Sequence, residues 1–375
     1  MPFSRAIWVE VGKSALTHNV AQVKKRARGQ GLIAVVKANA YGHGLAGTAL
    51  ALRDAGVSQF AVASLGEGLE LRDAGIGKPQ SGILILGYSL PSHADEVVAS
   101  GLCQTVISVH EIRSLAGAAE RLNKKAHVQI KIDTGMHRLG APPGDFPRLM
   151  DALRRFPSVV LDGVYTHYSS ADVNDSRFTE QQYELFGKTI EPFKLPETVR
   201  LHASNSSALI NCPSLKLNDV RVGIALFGEY ASPEVPKILD LKPVLRLKSR
   251  IAEVKALKPG DGAGYGHRFI NQSGSPCRLG IIPVGYADGF LRHSSGKREV
   301  LIRGRRCRVV GAVSMDFAHI LLPDDLSIGV GEPVTLIGTD GKDHIGAEEL
   351  ARVLDTIVYE ILTLIPTRIP RRYVD

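Results

Sequence analysis

Eight short runs that read as buried strands, alternating with segments that read as helix, recur between residues 33 and 226. The runs cover 33–37, 60–64, 83–87, 105–108, 128–133, 161–167, 200–204 and 219–226. The helical segments cover 44–55, 65–74, 92–100, 109–122, 146–155, 178–190 and 206–211. A continuous apolar run has no solvent face, which is how a strand buried on both sides of a parallel sheet reads. Strand and helix in alternation confine the chain to a parallel α/β arrangement, either an open doubly wound sheet or a (β/α)8 barrel. Eight units fit a barrel and no G-x-G-x-x-G follows any strand, so the barrel is the expectation. Gly56, Gly75 and Gly101 stand where helices should stop. Ahead of the first unit, residues 6–11 read as a strand, and Ser14 as the cap of a helix running to about Arg28.

After Tyr230 the pattern changes. Ser232-Pro233-Glu234-Val235-Pro236 reads as a linker. Beyond it lie short alternating strands at 245–256, 277–284, 299–302, 306–310, 319–322 and 333–337, then a helix at 347–354. The expected fold is α/β: a (β/α)8 TIM-like barrel followed by a mainly antiparallel β C-terminal domain. The expected boundaries are an N-terminal strand (1–12) joining the C-terminal domain, a barrel over 13–231, and the β domain over 237–375.

With 44% hydrophobic and 22% charged residues the composition is that of an ordinary globular chain. No apolar run is long enough for a membrane helix, and residues 1–11 lack the apolar core of a secretory signal. Cys103, Cys212, Cys277 and Cys307 lie far apart, with no C-x-x-C pair and no zinc spacing, so reduced thiols in a cytoplasm and no metal site are expected. The net charge of +8 permits anionic ligands. Its clusters, Lys24-Lys25-Arg26-Ala27-Arg28 and Arg303-Gly304-Arg305-Arg306-Cys307-Arg308, lack interleaved aromatics, so no nucleic-acid partner is expected.

In a parallel barrel the chemistry collects at the carboxyl ends of the strands. The first run ends in Lys37, followed by Tyr41, Gly42 and His43. A lysine just past a strand is commonly a surface group. One walled by apolar neighbours loses its proton more readily and can form a Schiff base with an aldehyde. The fifth run ends in Lys131-Ile132-Asp133-Thr134-Gly135-Met136-His137-Arg138, the sixth in Tyr165-Thr166-His167-Tyr168, the seventh in His202-Ala203-Ser204-Asn205-Ser206. The eighth carries Arg221-Val222-Gly223-Ile224. Ser206 at a helix start and the N–H groups around Gly223 and Ile224 suit a phosphate. A phosphate site beside an aldehyde-reactive lysine points to pyridoxal 5′-phosphate (PLP).

Over nearly its whole length the chain resembles the alanine racemases. The resemblance rests first on Ala34-Val35-Val36-Lys37-Ala38-Asn39-Ala40-Tyr41-Gly42-His43-Gly44, which looks like the family's PLP-attachment signature, and on Gly262-Ala263-Gly264-Tyr265-Gly266. Arg221-Val222-Gly223-Ile224, Gly285-Tyr286-Ala287-Asp288-Gly289 and Ser314-Met315-Asp316 support it.

The resemblance implies roles. Lys37 holds PLP and serves as one base; Tyr265 of the partner subunit is the opposing base, with His167 and Arg221 behind it as a relay. Arg221 faces the pyridine nitrogen and keeps it unprotonated. Tyr41, Ser206, Gly223, Ile224 and Tyr359 hold the phosphate. Arg138 contacts the PLP phenolate oxygen and places the substrate carboxylate, Lys131 is the lysine often carbamylated, and Met315 offers a backbone N–H from the partner. Asp172, Tyr286, Arg292 and Asp316 fall near the access corridor. His137 and Ala312 depart from the family's pattern; many members carry an arginine at the latter place. The implied protein is a cytoplasmic homodimer with shared active sites that racemises alanine and supplies D-alanine for peptidoglycan. A serine or broad-specificity racemase is the nearest alternative; a PLP decarboxylase and a non-catalytic PLP carrier stand further off.

Overall fold

The computed structural model describes residues 5–77 and 82–375. The chain forms two compact units, one of Leu16–Ala40 with Leu45–Lys242, the other of the segment through Ala15, Tyr41–Gly44 and Pro243–Asp375. The first strand, β1 (Ile7–Gly12), belongs to the second unit and leads into the helix Lys13–Ala27.

The first unit is a closed eight-stranded barrel: β2 (Gly31–Val35), β3 (Gln59–Val62), β4 (Gly82–Ile85), β5 (Cys103–Val106), β6 (Ala126–Lys131), β7 (Val159–Tyr165), β8 (Arg200–His202) and β9 (Asp219–Val222). Every neighbouring pair is parallel, and β9 closes onto β2 with Ile33 opposite Arg221. In β2 residues 31 and 32 are half-buried and Ile33 to Val35 buried, and Val36 just beyond the strand is sealed in.

Three of the helices between the strands start on side-chain caps. Ser64 Oγ accepts from Glu67 N, Ser108 and Glu111 form a reciprocal capping box, and Asn205 Oδ1 accepts from Ala208 N. Gly56, Gly75 and Gly101 take positive φ after the helices they end.

Three sequence expectations give way. Ser14 lies inside the helix Lys13–Ala27 rather than capping it. The run 219–226 is strand only through Val222; Ile224–Phe227 is a buried 3-10 turn. An apolar run reports burial, and burial suits either conformation. The run 245–256 is two strands with different partners, β10 (Leu245–Arg250) and β11 (Glu253–Leu257). The ladder breaks because Ile251 N turns to Glu332 O while Ala252 N turns to Ile281 O.

The second unit continues with a hairpin of β12 (Gly262–Ala263) and β13 (Phe269–Ile270), then β14 (Cys277–Ile282), β15 (Glu299–Ile302), β16 (Arg305–Val310), β17 (Ala318–Leu322), β18 (Pro333–Asp340), β19 (Asp343–Ile345) and β20 (Arg371–Val374). Its main sheet runs β11-β14-β17-β16-β15-β18-β10-β1-β20, with β19 against β18. All these pairings are antiparallel except β1 with β20. The helix Ala347–Val353 is followed by a second, Val358–Thr363, which carries Tyr359.

Three arginines of the second basic cluster meet carboxylates within this unit: Arg306 pairs with Glu299, Asp343 and Glu349, Arg303 with Glu332, and Arg305 with Asp325. Asp288, sealed from solvent, is gripped by Arg5 and Arg368 at 2.6 and 2.7 Å. No helix among the described residues is long and apolar enough to cross a membrane, and no cluster of metal-ligating side chains occurs among them.

Candidate active site at the barrel mouth

Lys37 stands two residues past the end of β2, and the backbone after it does something L-residues avoid. Ala38, Asn39, Ala40 and Tyr41 all take left-handed φ, at 54, 55, 52 and 52°. Each such residue costs roughly 1–2 kcal/mol. Local bonds hold the turn. Ala40 N donates to Val36 O at 2.8 Å, and Leu45 N to Asn39 Oδ1 at 2.9 Å. Glu67 bridges two chain segments, accepting from Ala38 N (2.6 Å) and Ala63 N (2.7 Å). Strain imposed this firmly marks a positioned group.

Four cations gather at the mouth: Lys37, Lys131 at the end of β6, Arg138 in the loop after it, and Arg221 on β9. None makes an ion pair with a carboxylate among the described residues. Burial, and then the charge of Arg138, lower the proton affinity of Lys37. Burial with the charges of Arg221 and Arg138 brings Lys131 down to about 8. Asp133, whose Oδ1 accepts from Gly135 N and His137 N at 3.0 Å, is held below the usual carboxylate range by these bonds despite its partial burial.

Arg221 is 4% exposed and engages only neutral groups. Nη1 lies 2.7 Å from His202 Nδ1; Nη2 lies 3.1 Å from His167 Nδ1 and donates to Thr166 O and Ala203 O. Its guanidinium sits 4.9 Å from the centre of the Tyr165 ring, which stacks on His202. Burial and the surrounding cations push both histidines well below the ordinary imidazole value. They are therefore neutral, accept from Arg221 through Nδ1, and carry their proton on Nε2; that of His202 goes to Gln129 Oε1 at 2.8 Å.

On the other side of the mouth, Ser206 opens the short helix Ser206–Asn211, and its Oγ accepts from Gly223 N at 3.2 Å. Its hydroxyl proton stays available to a ligand. The buried Ile224 N–H finds no protein acceptor among the described residues. The donor set thus suits PLP: an amine of lowered basicity, an unmatched excess of positive charge, and a hydroxyl with an orphaned amide for the phosphate.

The remaining expected site residues belong to the other unit. Tyr41 and Tyr359 face each other with ring centres 6.0 Å apart. The segment after Tyr41 is anchored by Arg371, which donates to Gly42 O, and by the Tyr373 hydroxyl on Gly44 O. A Cβ at Gly42 would lie 2.1 Å from Leu362 O, so only glycine fits there. Tyr265 tops the hairpin β12–β13 in a turn flanked by Gly264 and Gly266, both at positive φ, and is 70% exposed. Met315 is exposed as well, contrary to a packing role for its side chain within the chain. Of the two departures from the family's pattern, His137 is exposed with left-handed φ, and Ala312 is buried.

Sequence reasoning overlooked Glu67 and Gln129. The first had a signal: Ser64-Leu65-Gly66-Glu67 reads as a capping box, but its carboxylate serves Ala38 and Ala63 instead of the cap. Gln129 alternates within an apolar strand and gave none.

Fold and site together define a barrel enzyme whose mouth is prepared for amine chemistry on an anionic ligand. Comparison with known proteins narrows this. Residues 11–231 match the family model "Alanine racemase, N-terminal domain" and residues 244–373 the model "Alanine racemase, C-terminal domain". The alanine racemase of Symbiobacterium thermophilum is 39% identical over 98% of this chain and 97% of its own. The alanine racemase of Bacillus anthracis, solved with bound L-Ala-P, superposes with a TM-score of 0.93 at 34% identity, covering 100% of this chain and 96% of that one. A histidine racemase from Leuconostoc mesenteroides reaches a TM-score of 0.92 at 27% identity, covering 100% and 99%. The chain belongs to the alanine racemase family.

Proposed function

We propose that this chain is a cytoplasmic PLP-dependent racemase that interconverts L- and D-alanine by two bases and supplies D-alanine for peptidoglycan. The observation that carries the reading is Lys37: an amine of lowered proton affinity, fixed by a strained turn at the mouth of the barrel.

Bound PLP supplies an electron sink that makes the substrate Cα–H acidic. Lys37 is the residue for its attachment. Ser206 Oγ, the N–H groups of Gly223 and Ile224, and the hydroxyls of Tyr41 and Tyr359 are the phosphate ligands. Arg221 is the partner of the ring nitrogen; a guanidinium keeps its own proton and so leaves that nitrogen without one. Arg138 and the Met315 N–H receive the substrate carboxylate. The Lys131 amine, with its pKa brought down to about 8, gives up its proton more readily than an ordinary lysine; its neutral fraction is able to add CO2 with loss of a proton and become an anionic partner for Arg138.

Inversion requires a base on each face of Cα. Lys37 serves one face. For the other we infer Tyr265 of the partner subunit in a homodimer. Tyr286, Met315 and Phe317 are exposed too, and backbone bonds from Tyr286 and Ala287 to Ser314 and Met315 hold the two segments that carry them side by side, which favours association there. His167, its imidazole neutral and backed by Arg221, is the relay behind that tyrosine.

Two measurements test the reading. Chiral analysis of holoenzyme incubated with L-alanine, L-serine and L-histidine should show alanine inverted fastest; faster inversion of either rival would change the assigned substrate. Mixing inactive Lys37→Ala and Tyr265→Ala chains, with subunit exchange verified, should restore activity through hybrid dimers. No recovery would place both bases in one chain.

A further inference from the structure

We propose that the β unit carries a second ligand site: an oxyanion pocket walled by Arg298 and Arg308 that takes a small molecule bearing a phosphate or carboxylate group. A cavity of about 210 Å³ opens there, lined by Lys297, Arg298, Glu299, Arg308, Glu349 and Val353 among others.

Arg298 is only 6% exposed, yet no carboxylate accompanies it. Its guanidinium lies 3.8 Å from the centre of the Phe290 ring, and Nη2 makes a single long bond to Leu336 O at 3.3 Å. Nε is sealed away without a partner. Nη1 has no protein acceptor among the described residues. A buried guanidinium is expensive unless its charge and its N–H groups are answered. The fold supplies no answer. Burial lowers the group's proton affinity to about 9, so it remains a cation at neutral pH.

The acidic residues nearby are committed elsewhere. Glu299 and Glu349 both turn to Arg306, at 3.3 and 2.6 Å. Asp288 is held by Arg5 and Arg368. Arg308 stands opposite Glu299 in the β15–β16 ladder but makes no ion pair among the described residues, and the hydrogen-bond partner of Lys297 Nζ among them is His293 Nε2, at 2.9 Å. Three cations therefore line one cavity against two carboxylates, and both of those carboxylates are turned to Arg306 rather than to Arg298 or Arg308. Planar guanidinium groups pair best with carboxylate and phosphate oxygens through charge-assisted bonds. None of these residues takes part in the proposed racemisation, so the pocket stands apart from that site.

Calorimetric titration of the holoenzyme at constant ionic strength, with inorganic phosphate and separately with succinate, tests the site. Saturable binding of either anion is expected. Arg308→Gln, exposed and tolerant of change, should weaken it by about tenfold, the value of one charge-assisted bond. Arg298→Lys, which keeps the charge but loses the planar fork, should weaken it as well. Turnover and KM for alanine in anion-poor buffer should be unchanged in Arg308→Gln. Binding of phosphate alone assigns a phosphorylated ligand, and binding of succinate alone a carboxylate. Unaltered binding in Arg308→Gln, or no saturable heat from either anion, overturns the proposal; that variant decides even if Arg298→Lys fails to fold.

Discussion

The barrel mouth and the Asp288 cluster of the β unit treat buried charge in opposite ways. Asp288 is sealed from solvent between two arginines, and the two opposite charges meet within the fold. At the mouth, Arg221 is buried just as deeply, but its partners are two neutral imidazoles and two carbonyl oxygens, and three further cations stand near it. A matched pair is complete when the chain has folded. An unmatched group of cations is complete only with an anion from outside, and in its absence each lowers its neighbours' affinity for protons. The first arrangement is structural; the second keeps Lys37 ready to give up its proton. Tyr265 of the β unit follows neither arrangement: it is an uncharged side chain left 70% exposed.

That exception carries the largest expected effect. With Tyr265→Ala the holoenzyme retains Lys37 and should still exchange the Cα proton of D-alanine with deuterated solvent while failing to invert it. Exchange from L-alanine should fall by ~10²–10⁴-fold, the usual contribution of a general base. Equal exchange from both enantiomers would mean that one group serves both faces.

Next in size is Asp288→Ala. It strands two arginines, each partly exposed, and should cost about 2–4 kcal/mol in chemical denaturation. The equivalent disturbance at the mouth should not behave this way. Lys131→Met removes a buried cation and should stabilise the protein at pH 7 in CO2-free buffer. The sign follows from linkage. The folded-state value of about 8 lies below the ordinary 10.5, so the unfolded chain binds more protons between them. The burial cost is fully present below pH 8 and fades as pH rises toward 10.5. The stability gap between variant and wild type should close across that window at up to about 1.4 kcal/mol per pH unit. A pH-independent gap would show that Lys131 is not buried as a cation.

The smallest effect expected is that of Glu67→Gln. An amide can accept only one of the two backbone bonds, from Ala38 or Ala63, and turns an N–H toward the other. The left-handed turn should relax and misplace Lys37, lowering kcat about tenfold with KM little changed. Wild-type turnover would mean that the turn holds without Glu67.

Much of this was written in local pattern. The eight apolar runs, the helix-ending glycines, and the placing of Lys37, Lys131, His167, Ser206 and Arg221 at strand ends all follow from hydrophobic period and chain order, which are local properties. Other features depend on residues distant in the chain, and no local signal reports them. The run 245–256 splits because Glu332 and Ile281 offer acceptors in different directions. The positive φ values after Lys37 follow from what Glu67, Val36 and the residues around Gly42 impose, since alanine, asparagine and tyrosine have no such preference of their own. The neutrality of His167 and His202 comes from burial and from cations brought by other strands. Period and order set which residues reach the mouth of the barrel; the field and the strain they meet there arise only when those strands come together.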